Sequence, residues 1–283
     1  MHTIHVTGAS GTLASSVLRR IPASQRVTAS SRTLGTLPDG SARLHADFDD
    51  PASLDGVFRG TDVLFLVSAG QGEDDTVIAR HGVAIDAAEA AGVPHIVYTS
   101  LPRAADHVSL ATAHRWTENR LRAGSADFTI LRNGLYAELS EPFVAEAVRT
   151  GVLRAPFGTG RWSAVVREDL ADVAAKVLIA PGDHIGRVYE LVGDEAISGD
   201  DVAEEITRAG RPVRYAPVAL ADLRAGLTQA GTPPWQVPMV VSVFANITGG
   251  FLGSTESDLA SLLDAPPRRA LGIIREVAKA VVV

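Results

Sequence analysis

HTIHVTGASGTLASSVLRR (residues 2–20) reads as a buried strand, a glycine-rich turn and a helix. Ile4 and Val6 alternate with Thr3 and His5, then Gly8 and Gly11 break the extended pattern. Leu13, Val17 and Ile21 follow at helical spacing, and Pro22 marks the stop. A turn without Cβ atoms lets backbone N–H groups approach a phosphate, with the positive end of a helix dipole behind the anion. Gly8, Ser10, Gly11, Thr12 and Leu13 are therefore candidate contacts for a dinucleotide pyrophosphate. The spacing Gly8-x-x-Gly11-x-x-Ala14 departs at its front from G-x-G-x-x-G, and Ala14 holds the third, small-residue position. A glycine trio alone also occurs in surface turns. Its place between a strand and a helix is what points to a nucleotide.

The chain has 283 residues, enough for one large domain or two small ones. Its 46% apolar content is ample for a core, and 21% charged residues suits an ordinary soluble protein. A net charge of −7 without a basic run argues against nucleic acid. VLFLVSAG (63–70) is strand-length, and no segment approaches the ~20 apolar residues of a membrane helix. The fold is expected to begin at residue 2, which leaves no room for a signal peptide and makes a cytoplasmic protein the default. Cysteine is absent, so disulfides, thiol catalysis and thiolate metal sites are excluded. The eight histidines lack ligand-like spacing, and no metal is expected.

Short apolar strands alternate with helical patterns through residue 132, which predicts βαβ units and a parallel sheet. The strands are RVTAS (26–30), ARLHA (42–46), DVLFLVS (62–68), HIVYTS (95–100) and DFTILR (127–132). Helices are expected near 74–91, with Val77, Ile78, Ala84, Ile85 and Ala88 on one face, and near 109–123. The second of these turns Leu110, Ala113, His114, Thr117 and Leu121 inward. APFGTGRW (155–162) reads as a hairpin or loop, followed by a helix near 168–180 and a strand RVYELV (187–192). Further helices should begin near Ser198, Ala219, Pro234, Thr255 and Pro266. The expected fold is α/β: a Rossmann-type doubly wound parallel sheet with a smaller, mostly helical C-terminal substrate lobe. Residues 1–133, with return segments near 161–193, form the dinucleotide domain. Residues 134–160 and 194–283 form the lobe, over the carboxyl ends of the strands where such sheets bind ligands.

NAD-selective sites place a carboxylate at the end of the second strand to bind the ribose 2′-OH. Here that strand runs Val27-Thr28-Ala29-Ser30-Ser31-Arg32-Thr33. Hydroxyls and a guanidinium suit a 2′-phosphate instead, so NADP(H) is expected, with Arg32 as its anchor. Asp47 and Phe48 could flank the adenine. Val67 and Ser68 end the fourth strand beside the pyrophosphate and ribose, and Thr99 and Ser100 end the fifth near the nicotinamide. Each could equally cap its strand.

Many reductases on this scaffold pair a tyrosine with a lysine four residues on, which lowers the tyrosine pKa for proton transfer. Lysine occurs only as Lys176 and Lys279, and Tyr98, Tyr136, Tyr189 and Tyr215 have no lysine at that spacing. Ordinary alcohol dehydrogenation and sugar epimerisation are disfavoured. TGASGTLA, HADFDDPASL (45–54), AAEAAGVPHIVYTSL (87–101), HRWTENRL (114–121) and FTILRNGLYAE (128–138) resemble the NmrA-like branch of the atypical short-chain dehydrogenases/reductases. Within it, the chain looks most like the NADPH quinone reductase and triphenylmethane reductase type. The resemblance spans nearly the whole chain, is most specific in LRNGLY and weakens beyond about residue 195.

The resemblance implies NADP(H) bound through the glycine turn and Arg32, with Asn133, Gly134 and Tyr136 near the nicotinamide and substrate. Isoflavone-reductase-like relatives carry lysine where His114 stands, and the quinone and dye reductases carry histidine. One departure is Asn119, where the quinone-reductase pattern H-x-x-T-E-K has lysine. His114 is a candidate proton donor or ribose contact, or else a packed core histidine on its apolar stripe. Tyr136 is a second catalytic candidate or a pocket wall. Trp116, Phe143, Trp162, Trp235 and Phe244 could line an apolar pocket or lie in the core.

The expected function is an NADPH-dependent oxidoreductase passing hydride to a conjugated acceptor such as a quinone or dye. Hydride addition there gives a delocalised anion, which needs a positioned acid less than an alkoxide does. The alternatives are a non-catalytic, NADP(H)-binding redox sensor of the NmrA type and a tailoring reductase of secondary metabolism. The partner expected is a small-molecule substrate, with a homo-oligomer left open.

Overall fold

The computed structural model describes residues 2–33, 35, 43–69 and 72–282. Its elements in chain order are β1 (Thr3–Val6), α1 (Thr12–Leu18), β2 (Arg26–Ser31), β3 (Leu44–His45), β4 (Val63–Leu66), α2 (Asp74–Ala90), β5 (His95–Ser100), α3 (Ala111–Arg122) and β6 (Asp127–Asn133). Then follow α4 (Glu141–Thr150), β7 (Val152–Ala155), β8 (Arg161–Trp162), α5 (Arg167–Ile179), β9 (Val188–Leu191), β10 (Ile197–Ser198), α6 (Gly199–Arg208) and β11 (Arg214–Pro217). The chain ends with α7 (Leu220–Gln229), α8 (Gln236–Thr248), α9 (Leu259–Leu262) and α10 (Ala270–Val282).

A seven-stranded sheet has the order β3-β2-β1-β4-β5-β6-β9, and each pair from β3 to β6 runs parallel. This is the doubly wound order, in which the strand sequence reverses direction beside β1. Strand composition explains the arrangement. All four residues of β4 and all six of β5 are buried, as central parallel strands covered on both faces must be. Leu64, Leu66, Ala84, Ile85, Ala88, Ile96 and Tyr98 form one core cluster that fixes α2 against the sheet.

The chain divides into two compact units. The first comprises Met1–Leu101, Thr112–Arg132 and Leu170–Tyr189; the second comprises Pro102–Ala111, Asn133–Asp169 and Glu190–Val283. In the second unit β7 pairs with β11 in parallel and β8 with β10 antiparallel. The helix α6 opens with a reciprocal cap, Ser198 to the Asp201 N–H and the Asp201 carboxylate back to the Ser198 N–H. Among the described residues no helix is long and apolar enough to cross a membrane.

Several local expectations are corrected. The third strand is only Leu44–His45, and Ala42 lies outside the described residues. The 155–162 segment takes the loop and not the hairpin alternative, because β7 and β8 find separate partners in β11 and β10. The strand β11 has no counterpart in the expected elements: four residues with a terminal proline give too short a period-2 signal. The last two helices start at Leu259 and Ala270, later than Thr255 and Pro266.

Candidate functional site

In the first unit the chain leaves β1 through Gly8, whose φ of +61° side chains rarely adopt. Ala9 N–H donates to Ser30 O at 3.0 Å and Gly11 N–H to Gly8 O at 2.8 Å, which pins the turn against β2. Gly8, Ser10, Gly11 and Thr12 are exposed, while Leu13 is buried beneath them. The helix α1 begins without a side-chain cap, so its opening N–H groups remain for solvent or an anion. A cradle that side chains would fill is thus kept open where a pyrophosphate would need it.

The end of β2 corrects one expectation. The hydroxyls of Ser30 and Ser31 face inward: Ser30 Oγ lies 2.9 Å from His5 Nε2, and Ser31 Oγ donates to Thr33 O. His5 also meets Thr28 Oγ1 at 2.9 Å, and burial lowers its pKa to about 4. Arg32 is exposed there, as is Thr33 beside it. Nearby, Arg80 holds Asp49 through two 2.7 Å bonds, and that contact first, with Arg32 also contributing, draws the Asp49 pKa down. Arg80 escaped the sequence reading because a lone arginine in a helix looks like solvated surface.

The other strand ends are occupied locally. Asp47 forms a turn, its N–H donating to Ser53 Oγ at 2.8 Å, and Phe48 packs on the core cluster. Val67 N–H donates to Thr7 Oγ1 at 3.0 Å, and Ser68 N–H to Thr99 Oγ1 at 2.9 Å. Ser100 Oγ donates to Glu118 Oε1 at 2.7 Å.

Beneath these ends lies a buried polar network on α2, β5 and α3. His114, 6% exposed, has Nδ1 2.8 Å from the Tyr98 hydroxyl. His81 Nδ1 lies 2.8 Å from Thr117 Oγ1, and its Nε2 accepts from Ala69 N–H at 3.1 Å. Burial lowers the His114 pKa to about 4, with Arg115 adding to the effect and Glu118 opposing it. At neutral pH His114 is therefore an uncharged imidazole, able to donate one N–H. His81 was missed, although Val77, His81, Ile85 and Ala88 share one helical stripe.

Glu118, also missed, is 1% exposed and anchors the foot of α3. Arg132 Nε and Nη2 reach its two oxygens at 2.9 and 2.7 Å, Arg115 Nη1 at 2.7 Å and Arg122 Nη2 at 3.1 Å. Burial pushes its pKa up, but the bonds from Arg132 and Ser100 and the neighbouring guanidinium charges win, leaving it at about 2.

In the second unit Asn133 is 6% exposed and its Oδ1 has no hydrogen-bond partner. A buried orphan acceptor is uncommon in a folded chain and marks a place where a ligand donor is welcome. Gly134 N–H donates to Leu191 O at 2.8 Å, and a Cβ there would meet Leu191 O and Val192 at 3.1–3.2 Å. Its lack of a side chain is therefore explained by packing on β9. Burial raises the Tyr136 pKa against a bond from the Asn133 amide, and the Arg167 guanidinium sits 5.2 Å from its ring.

Of the five expected pocket aromatics, Phe143, Trp162 and Phe244 gather around Phe157, which is 2% exposed. They are core. Trp116 is 38% exposed on the first unit, and Trp235 is half-buried. A cavity of about 280 Å³ in the second unit is lined instead by Pro102, Arg103, Glu190, Val192, Phe251 and Glu256.

Residues 8–181 match the model of a family described as NAD(P)H-binding, which takes in the glycine turn and every strand from β2 to β6. The chain belongs to the NAD(P)H-binding family. Proteins named as reductases are among those it is similar to. Quinone oxidoreductase 2 of Escherichia coli (strain K12) is 33% identical over 272 residues, 93% of this chain and 94% of that protein. Among solved structures, triphenylmethane reductase of Citrobacter sp. complexed with NADP(H) superimposes with a TM-score of 0.88 at 29% identity, covering 98% of this chain and 99% of that one. The NADPH-dependent quinone oxidoreductase of Escherichia coli complexed with NADPH gives 0.86 at 31% identity, covering 97% and 99%. The NmrA-like motif resemblance pointed to this same group.

Proposed function

We propose that the chain is an NADPH-dependent reductase of conjugated, electron-poor acceptors such as quinones and dyes. The supporting observation is the open glycine turn, followed by a second strand whose carboxyl end leads into the exposed Arg32, in a chain similar over nearly its whole length to reductases of that kind. When bound, NADPH supplies the hydride. Gly8, Ser10, Gly11, Thr12 and Leu13 would hold its pyrophosphate, and Arg32 its 2′-phosphate. Asp47, Phe48, Val67, Ser68, Thr99 and Ser100 would shape the adenosine and ribose walls. Asn133, through its unpartnered Oδ1, and Gly134 are proposed as further cofactor contacts, and Tyr136 as an acceptor contact. His114 would give an N–H to the anion that forms on the acceptor, or to the ribose. Such an enzyme would work in the cytoplasm.

The test is NADPH oxidation against a panel of quinones, triarylmethane dyes and azo dyes. Turnover with at least one class is expected. Tight NADPH binding without turnover across the panel would replace the reductase with a redox sensor.

Arg32→Ala should weaken NADPH binding about tenfold or more, since a charge-assisted hydrogen bond contributes roughly 1.5–3 kcal/mol. NADH binding should hardly change. Equal losses for the two dinucleotides, measured by titration, would remove the 2′-phosphate from Arg32.

His114→Ala should lower turnover by about 10- to 100-fold, below the ceiling of general acid catalysis because the acceptor anion is delocalised. Turnover at low temperature and thermal melting of the same variant separate chemistry from packing. A less stable variant with unchanged turnover would make His114 a core residue only.

A further inference from the structure

Tyr98 is buried completely in the middle of β5, where a phenylalanine would satisfy the core, and its hydroxyl lies between two histidines. The protons of this group can be placed from its partners. Thr117 Oγ1 donates its one hydrogen to Ala113 O at 2.8 Å, so it can only accept from His81 Nδ1. His81 Nε2 accepts from Ala69 N–H, which requires a lone pair on that nitrogen. Both contacts give the same answer: His81 carries its proton on Nδ1.

That proton closes one route for Tyr98, whose hydroxyl also meets the Thr117 and Ser68 hydroxyls. Its hydroxyl is 3.5 Å from His81 Nδ1, a nitrogen that is itself a donor, and 2.8 Å from His114 Nδ1. An imidazole lone pair is a strong acceptor at that distance. Burial raises the Tyr98 pKa, so the hydroxyl keeps its hydrogen. Burial first, then His114 and Arg80, lowers the His81 pKa to about 3, so His81 stays neutral beside His114. The two imidazoles are 6.3 Å apart, and the tyrosine between them needs both uncharged.

We infer that Tyr98 donates to His114 Nδ1 and thereby fixes His114 as the Nε2–H tautomer, the form whose free donor serves reduction. Tyr98 is thus a positioning residue. It touches neither cofactor nor acceptor in this assignment and acts through the imidazole. Among the described residues no group bonds His114 Nε2, which leaves that N–H as the one uncommitted donor of the network. The inference rests on the reductase reading for its purpose, and on the hydrogen-bond geometry alone for the tautomer.

Nitrogen-15 NMR of the full-length protein at pH 7 reads the tautomer directly, with the His114 signals assigned by their loss in His114→Gln. The expected spectrum has a protonated Nε2 and an unprotonated Nδ1 for His114, and the reverse for His81. Tyr98→Phe should mix the His114 tautomers and lower kcat about tenfold, the worth of one hydrogen bond, with acceptor KM and NADPH Kd within about twofold. A wild-type His114 protonated on Nδ1 overturns the assignment, as does a Tyr98→Phe variant whose His114 signals and kcat match wild type. Wild-type turnover in His114→Ala would sink the reductive role of His114 instead, leaving the tautomer spectrum to judge Tyr98.

Discussion

Gly11→Val should abolish useful NADPH binding while leaving the first unit folded. The backbone at Gly11 has φ −79° and ψ 156°, extended values that valine favours. An added Cβ would meet Gly8 O at 3.2 Å, close enough to require a small shift but not a refolding. Gly8 is different, because its positive φ would strain any side chain there. The branched side chain that Gly11→Val introduces would stand over the N–H groups that open α1. Losing two charge-assisted hydrogen bonds to the pyrophosphate corresponds to about 4 kcal/mol, or about a thousandfold in Kd. Isothermal titration with NADPH, beside a circular dichroism melt, measures both halves. A folded variant that still binds NADPH within tenfold of wild type would move the phosphate away from this turn.

The first unit was readable because parallel strands buried on both faces announce themselves as apolar runs, as in Val63–Leu66 and the Ile96–Tyr98 centre of β5. The glycine turn was equally legible, since its function is met by backbone and demands small residues at fixed spacing. Polar groups were harder. Nothing in the string shows that Ser30 turns inward to His5 while Arg32 is exposed: strand alternation would put these two on one face, but β2 ends at Ser31 and Arg32 lies beyond it. Sequence alone does not say which side faces a ligand. Glu118 and its arginines come from α3 and from β6, separated by up to 14 positions. Their convergence is a product of tertiary packing, and the HRWTENRL segment offered only a charged helix. The aromatics misled for a related reason: Phe157, flanked by proline and glycine, read as loop yet centres a core cluster.

Glu118→Gln should destabilise the fold at neutral pH and cease to matter in acid. The carboxylate is 1% exposed and receives bonds from Ser100, Arg115, Arg122 and Arg132. Arg132, with a side chain 13% exposed, would lose the carboxylate that Glu118 gives it. Breaking a buried pair by removing one partner costs about 3–5 kcal/mol. The pKa gives a similar figure: a fall from 4.5 to about 2 in the folded state corresponds to about 3 kcal/mol at 1.36 kcal/mol per unit. Because the folded pKa is depressed, this contribution is fully present above pH 4.5. It is lost as pH falls through about 2, where both states bind the proton. The melting temperature at pH 7 should therefore drop by roughly 10 °C in the glutamine variant. The gap from wild type should narrow steadily below pH 4.5 and nearly close by pH 2. A gap as wide at pH 2.5 as at pH 7 would show that shape, and not charge, makes Glu118 fit. The arginines would then be held by something other than the ion pair.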